Sequence, residues 1–273
     1  MDEQPTWPFG GIWAALGEGV IELAGKPVGL SVVDCGELSV ASGHLLAIDL
    51  FGPNEDDGLG VRVPPGRYPV RLTLADVSGR LDGSNLVEAY LSVVLGDGEE
   101  SSRRVLGPEG EGDDGAPLAL EDEAEEVDDP EGEEDPESEE DLEGDEEEDD
   151  EDDEDDDEEG DLVEGEFRAV AVDSDTVALV DEDALVSLMP DPSAWEDDVF
   201  AGGPDPWYDV LDDPDEVREG AANVELPGAE RGENAILCRA GWGDGRYPFV
   251  GSFDESGDLI AVHLDLQVVG TFE

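Results

Sequence analysis

Residues 63–79 read VPPGRYPVRLTLADVSG. Pro64, Pro65 and Gly66 make a turn, after which Tyr68, Val70, Leu72 and Leu74 alternate with Pro69, Arg71 and Thr73. Apolar side chains at every second position face one core, and the intervening positions face away from it. That period belongs to a half-buried antiparallel strand, not to a helix.

The neighbouring segments carry the same mark. Residues 86–95 (LVEAYLSVVL) are long enough and rich enough in Val, Leu and Tyr to lie near the centre of a sheet. Upstream, Leu38 and Val40 form one short alternating run and Leu46, Ile48 and Leu50 a second, with Ser42 and Gly43 between them as turn residues, a hairpin-like unit. Downstream, 167–172 and 177–180 are apolar runs around DSDT, which predicts either a hairpin with an Asp-rich turn or two strands about a short bend. Asp181 is placed to cap a short helix that turns Ala184, Leu185 and Leu188 inward, and the irregular stretch 194–220 is expected to be a surface loop or to hold a short helix near 207–211. The end reads as a meander of 235–239, 247–253 and 259–266, joined by GWGDG and DESGD, with Gly257 supplying a positive φ in the last turn. The expectation is a mainly β, antiparallel β-rich single domain with one or two short helices.

Between these flanks the composition changes. The 273 residues carry 79 acidic and 12 basic side chains for a net charge of −67, and Lys26 is the only lysine. From 109 to 161, 36 of 53 residues are Asp or Glu and none is Lys or Arg. Such a stretch buries too little apolar surface to offset the entropy of ordering it, so 106–161 is expected to be a disordered acidic insertion. The remaining pieces are an N-terminal segment (1–36), a first part of the β-rich domain (37–105) and a second part (162–273). Neither part alone offers enough strands for a two-layer core, which points to one domain with an insertion rather than two domains on a linker.

Charge also excludes function classes. Nucleic acid and anionic membranes both call for a basic surface, and the nearest pair of bases, Arg103 and Arg104, abuts the acidic tract. The start, MDEQPTWPFGGIW, has neither the basic nor the apolar region of a secretory signal, no run is long enough to span a membrane, and a cytoplasmic location is expected. Cys35 and Cys238 are too few for a disulfide framework and read as buried thiols.

SGHLLAIDLF, PPGRYPVRLTLADV, VAVDSDTVALVDEDAL and GWGDGRYPFVG follow one another in this order. In that series the chain resembles a bacterial family, domain of unknown function 4241, over roughly residues 38–95 and 167–266, most specifically in its terminal Gly-Trp-Gly-Asp-Gly-x-Tyr-Pro. The resemblance implies one β-rich domain and assigns no activity or cofactor. The chain departs from the family pattern at Leu50, where a proline follows the aspartate, at Asp175, where a glycine stands, and in the acidic tract.

Two sets of residues are candidates for a site. Asp49, Asp173, Asp175, Asp181 and Asp244 flank strand ends within these motifs. Three of them converging would make an oxygen-rich site suited to Ca²⁺ or Mg²⁺, which take carboxylates and carbonyls at roughly 2.0–2.6 Å. The second set is the turn Gly241, Trp242, Gly243, Asp244, Gly245 and Tyr247. Its glycines allow an anion-binding nest, whereas Asp244 could instead accept the turn amides itself while Trp242 and Tyr247 pack over them. With two histidines, His44 and His263, a multi-histidine zinc centre is excluded, and a Cys–His nucleophile pair needs one of them to meet Cys35 or Cys238. Non-catalytic binding of a protein or small ligand is the expected function. The alternatives are a metal-assisted hydrolase using the strand-end aspartates, and a polyanionic tract that recruits basic proteins.

Overall fold

The computed structural model describes residues 14–52, 58–106 and 169–269. Two large antiparallel sheets dominate. The first has seven strands, in spatial order β1 (Gly19–Leu23), β2 (Lys26–Val40), β5 (Gly66–Asp76), β6 (Leu86–Val94), β14 (Leu259–Asp265), β13 (Phe249–Phe253) and β7 (Ser102–Val105). The second has five, β10 (Ala221–Glu225), β11 (Asn234–Arg239), β9 (Thr176–Asp181), β3 (His44–Ile48) and β4 (Leu59–Arg62). A separate pair joins β12 (Gly245–Tyr247) to β8 (Val170–Val172). Strands from before and after 107–168 pair in both sheets: β6 with β14, β7 with β13, and β3 with β9.

Side-chain alternation builds three layers from these sheets. In β9, Val177 and Leu179 face the first sheet while Ala178 and Val180 face the opposite way, and Leu45/Ala47 against Leu46/Ile48 in β3 and Ile236/Cys238 against Ala235/Leu237 in β11 divide likewise. Both faces of the five-stranded sheet are therefore buried, which is why β9 reads as a continuous apolar run. The inner layer also takes Val70, Leu72 and Leu74 of β5 and Leu91 and Val93 of β6. On the other side lie α1 (Glu182–Leu188), a 3₁₀ turn (Pro192–Ala194), a π-helical turn (Glu196–Phe200) and α2 (Trp207–Asp212), which cover the sheet with Leu185, Trp195, Phe200, Trp207 and Leu211.

Several sequence expectations are met. The fold is mainly β and antiparallel, α1 is capped by the Asp181 side chain accepting from the Ala184 N–H at 2.9 Å, and α2 begins at Trp207. Others need correcting. The segment around Ser42 and Gly43 is not a hairpin, because β2 pairs with β1 and β5 whereas β3 pairs with β4 and β9, so the chain crosses between sheets there. Around DSDT the second of the two expected alternatives holds, two strands about a bend: β8 pairs with β12, and β9 with β11 and β3. The C-terminal meander is broken as well. Pro248 has no N–H to continue a ladder, and the chain leaves the small pair at Tyr247 to enter the seven-stranded sheet at Phe249. The N-terminal segment is not separate from the domain, since β1 and most of β2 lie within 1–36. Pro27, Gly29 and Gly36 hid this 15-residue strand, whose register slips between Asp34 and Glu37 at a bulge. Leu106 belongs with the fold: its N–H donates to the Phe249 carbonyl at 2.9 Å and its side chain packs on the core. The rest of the expected insertion, 107–161, and positions 167–168 of the expected strand lie outside the described residues.

Candidate functional site

Three loops meet at one end of the five-stranded sheet. Ile48 of β3 stands opposite Ala178 of β9, and Thr176 of β9 opposite Arg239 of β11. The residues leaving β3 (49–52), those entering β9 (173–175) and those leaving β11 (240–244) are thereby brought together. Asp181 closes the other end of β9, opposite Leu45, roughly 17 Å from Thr176 by strand rise. There its buried carboxylate accepts from the Ser42 N–H and hydroxyl, each at 2.7 Å, as well as from Ala184. Of the five candidate aspartates, Asp49, Asp173, Asp175 and Asp244 are neighbours and Asp181 is not.

Asp49 holds this junction. It is 6% exposed, and its two oxygens accept four backbone N–H groups: Phe51 at 3.1 Å, Gly52 at 2.9 Å, Asp173 at 2.7 Å and Ser174 at 2.8 Å. The Ser174 hydroxyl donates to it as well. One carboxylate thus ties the exit of β3 to the bend before β9. Asp175 follows with φ +60°, the left-handed conformation that glycine takes without strain. Asp244 lies against it, its carboxyl held above the ordinary range by desolvation first and then by Asp175, Asp173 and Asp49. Among the described residues, no three His, Cys, Asp or Glu side chains are grouped so as to hold a metal ion.

The glycine-rich turn is built inward. Gly243 donates its N–H to Ala240 at 2.7 Å and Gly241 to Arg239 at 3.2 Å, while the Ala240 N–H reaches the Asp175 carbonyl at 2.9 Å. A Cβ on Gly241 (φ +53°) would stand 2.7 Å from the Leu266 carbonyl, and one on Gly243 (φ +102°) would meet the Asp175 carboxylate. Among the described residues no turn amide donates to Asp244, so the expected internal cap is absent. Tyr247 ties the turn through its carbonyls instead: 3% exposed, its hydroxyl donates toward the Ala240 carbonyl at 3.0 Å and that of Gly243 at 2.5 Å, and burial pushes it up to about 12. Trp242 does not pack over the turn as expected but stands 64% exposed.

Beside this junction opens a cleft of about 310 Å³ lined by Phe51, Ser174, Asp175, Thr176, Tyr208, Leu211, Asp212 and Arg239. Its wall is aromatic, with the Phe51 and Tyr208 rings 4.9 Å apart and Phe51 edge-on to Phe200 at 4.7 Å. The Tyr208 hydroxyl donates to Glu196 at 2.9 Å, and burial, with Glu196 beside it, pushes it up to about 12. Across the cleft Arg239 pairs with Asp212 at 2.8 Å. These aromatic and Arg239 contributions are not evident from the strand pattern, because Tyr208 and Asp212 come from a helix in an irregular region. The cluster of Trp195, Phe200, Trp207 and Tyr208 within that region was the available signal.

A family model described as a protein of unknown function (DUF4241) matches residues 38–264. The chain belongs to this family. In this DUF4241 chain the matched span runs from the third-last residue of β2 almost to the end of β14 and includes all three loops of the junction. Neither the curated proteins nor the solved structures contain a match to it.

The remaining reactive groups lie elsewhere. His44 is 3.6 Å from Glu182 at the surface. His263, 2% exposed, bridges two serines on the face of the seven-stranded sheet turned away from the five-stranded one, Nδ1 to Ser92 Oγ and Nε2 to Ser252 Oγ, each at 2.8 Å. Because the Ser252 hydroxyl donates to the Glu100 carboxylate at 2.6 Å, Nε2 carries the imidazole proton and Nδ1 accepts from Ser92. Burial pulls this histidine down to about 3. Cys35 and Cys238 are free and buried in the inner core, with the Cys35 thiol pushed up to about 12 and that of Cys238 also raised, both mainly by desolvation. Among the described residues no helix is long and apolar enough to cross a membrane.

Proposed function

We propose that this chain is a non-catalytic binding protein that takes a small ligand in the cleft beside the Asp49 junction. The observation that carries the reading is the cleft itself: an aromatic wall and a polar rim, set where three loops of the family match converge on a buried, fully bonded carboxylate. Loops pinned in this way hold their side chains in place before a ligand arrives, which lowers the ordering cost of binding. The groups that chemistry would need are occupied in other ways. Both thiols are desolvated far above neutrality, His263 donates to one serine and accepts from another inside a sheet face, and Asp49 spends both oxygens on N–H and O–H donors.

A fragment screen followed by backbone amide NMR on the full chain tests the reading. Bound fragments should shift the amides of residues 51, 174–176, 208 and 239, and Tyr208→Ala should weaken them. Hits that cluster on another surface, or that ignore Tyr208→Ala, would overturn it.

A further inference from the structure

We infer that the ligand of this cleft is a small organic cation, an amine or amidine carried on an apolar or aromatic body. The inference rests on the binding reading above and adds the chemical class. Geometry supplies its two halves. Phe51 and Tyr208 line the cleft with two aromatic rings tilted against each other, and Asp175 lines the same cleft. A cation over an aromatic face is attracted by the ring quadrupole, and more so where water is partly excluded. The Tyr208 hydroxyl donates to the Glu196 carboxylate, which makes that ring richer in electrons.

Charge decides the sign. The one base in the cleft, Arg239, is paired with Asp212 at 2.8 Å, so the two together are close to neutral. That leaves no second base among the cleft residues to balance Asp175, which shares a hydrogen bond with the Asp244 carboxyl, and Asp173 and Asp49 stand near the same group. The reluctance of the Asp244 carboxyl to ionise follows first from desolvation and then from Asp175, Asp173 and Asp49, and the same field would draw in a cation. An anionic ligand would have to approach Asp175 and displace Asp212 from Arg239, two unfavourable steps.

The test is a matched series of benzylamine, benzyl alcohol and benzoate, titrated into the full chain at 150 mM salt and followed by amide NMR at the cleft. Benzylamine should saturate the cleft signals, and at least fivefold more tightly than benzyl alcohol, a difference of the size that one partly desolvated cation–π contact provides. Asp175→Asn, at a positive φ that asparagine tolerates, should reduce that advantage and leave benzyl alcohol unchanged. Binding of benzoate in the cleft, weakened by Arg239→Gln, would overturn the cation class while leaving the cleft as a binding site. A benzylamine response confined to surfaces outside the cleft would overturn the class too. No cleft response to any of the three would sink both readings.

Discussion

The buried pair His263 and Asp265 makes a sharp prediction about stability and pH. Both project from β14 to the face of the seven-stranded sheet opposite Val262 and Leu264, and they are 2% and 5% exposed. Asp265 accepts from the Gln267 N–H at 2.9 Å, and burial raises its carboxyl from 3.8 to about 7. Between those values the folded chain holds a proton that the unfolded chain has lost, so this group makes stability fall as pH rises. His263 works in the opposite sense. Unfolded it takes a proton near 6.5, but folded only near 3, so between these values the unfolded chain binds more protons and stability rises with pH. Each contribution approaches about 1.4 kcal/mol per pH unit, one proton's worth, and from roughly pH 4 to 6.5 the two nearly cancel. The perturbations are Asp265→Asn and His263→Gln, compared with the unaltered chain by urea unfolding across pH 4–7 at fixed salt, so that the background from the other carboxylates drops out of each difference. The Asp265→Asn difference curve should climb with pH and the His263→Gln curve should fall. Two flat difference curves, or two of the same sign, would refute the reasoning.

Two further outcomes follow from the junction. Asp49→Ala strips the acceptor from four backbone N–H groups in a nearly dry site and should cost about 3–5 kcal/mol in urea unfolding, with Asp49→Asn costing less because one oxygen remains; a loss under about 1 kcal/mol would mean that the loops are not held by this carboxylate. Gly243→Val should destabilise by about 1–3 kcal/mol, since its φ is +102° and the new side chain would press on Asp175, whereas Asp244→Asn should leave stability unchanged or raise it by relieving like charge; thermal unfolding that ranks Asp244→Asn as the more damaging would reverse this account of the turn.

How far the sequence could be read depended on what each residue had to satisfy. The central strands were legible because Tyr68 to Leu74 and the run after Thr176 must bury particular faces, and helix α1 because an aspartate precedes it. Strands β1, β4, β7 and β10 were not. They are short and lie at or near sheet edges, and exposed edge positions such as Ser102 and Arg104 in β7 carry no apolar alternation. Partnership was illegible too, since a period of two says that Leu46 has a buried face but not that its neighbour is Val180. At the site, the motif aspartates were found but their work was not. Asp49 and Asp181 resemble ligands in sequence, and only the fold shows their oxygens filled by amides. The aromatic wall came from a helix whose position nothing in the periodicity dictated.

The interleaving of strands from either side of 107–168 gives the chain an unusual relation to its own backbone. A single cut in that stretch would yield one piece carrying β1–β7 and another carrying β8–β14, and neither would own either of the two large sheets whole. The ladders β6–β14, β7–β13 and β3–β9 would become the seams of a heterodimer, with the inner core as its interface. Folding would then change from a unimolecular event to a second-order one, and melting would depend on the concentration of both pieces.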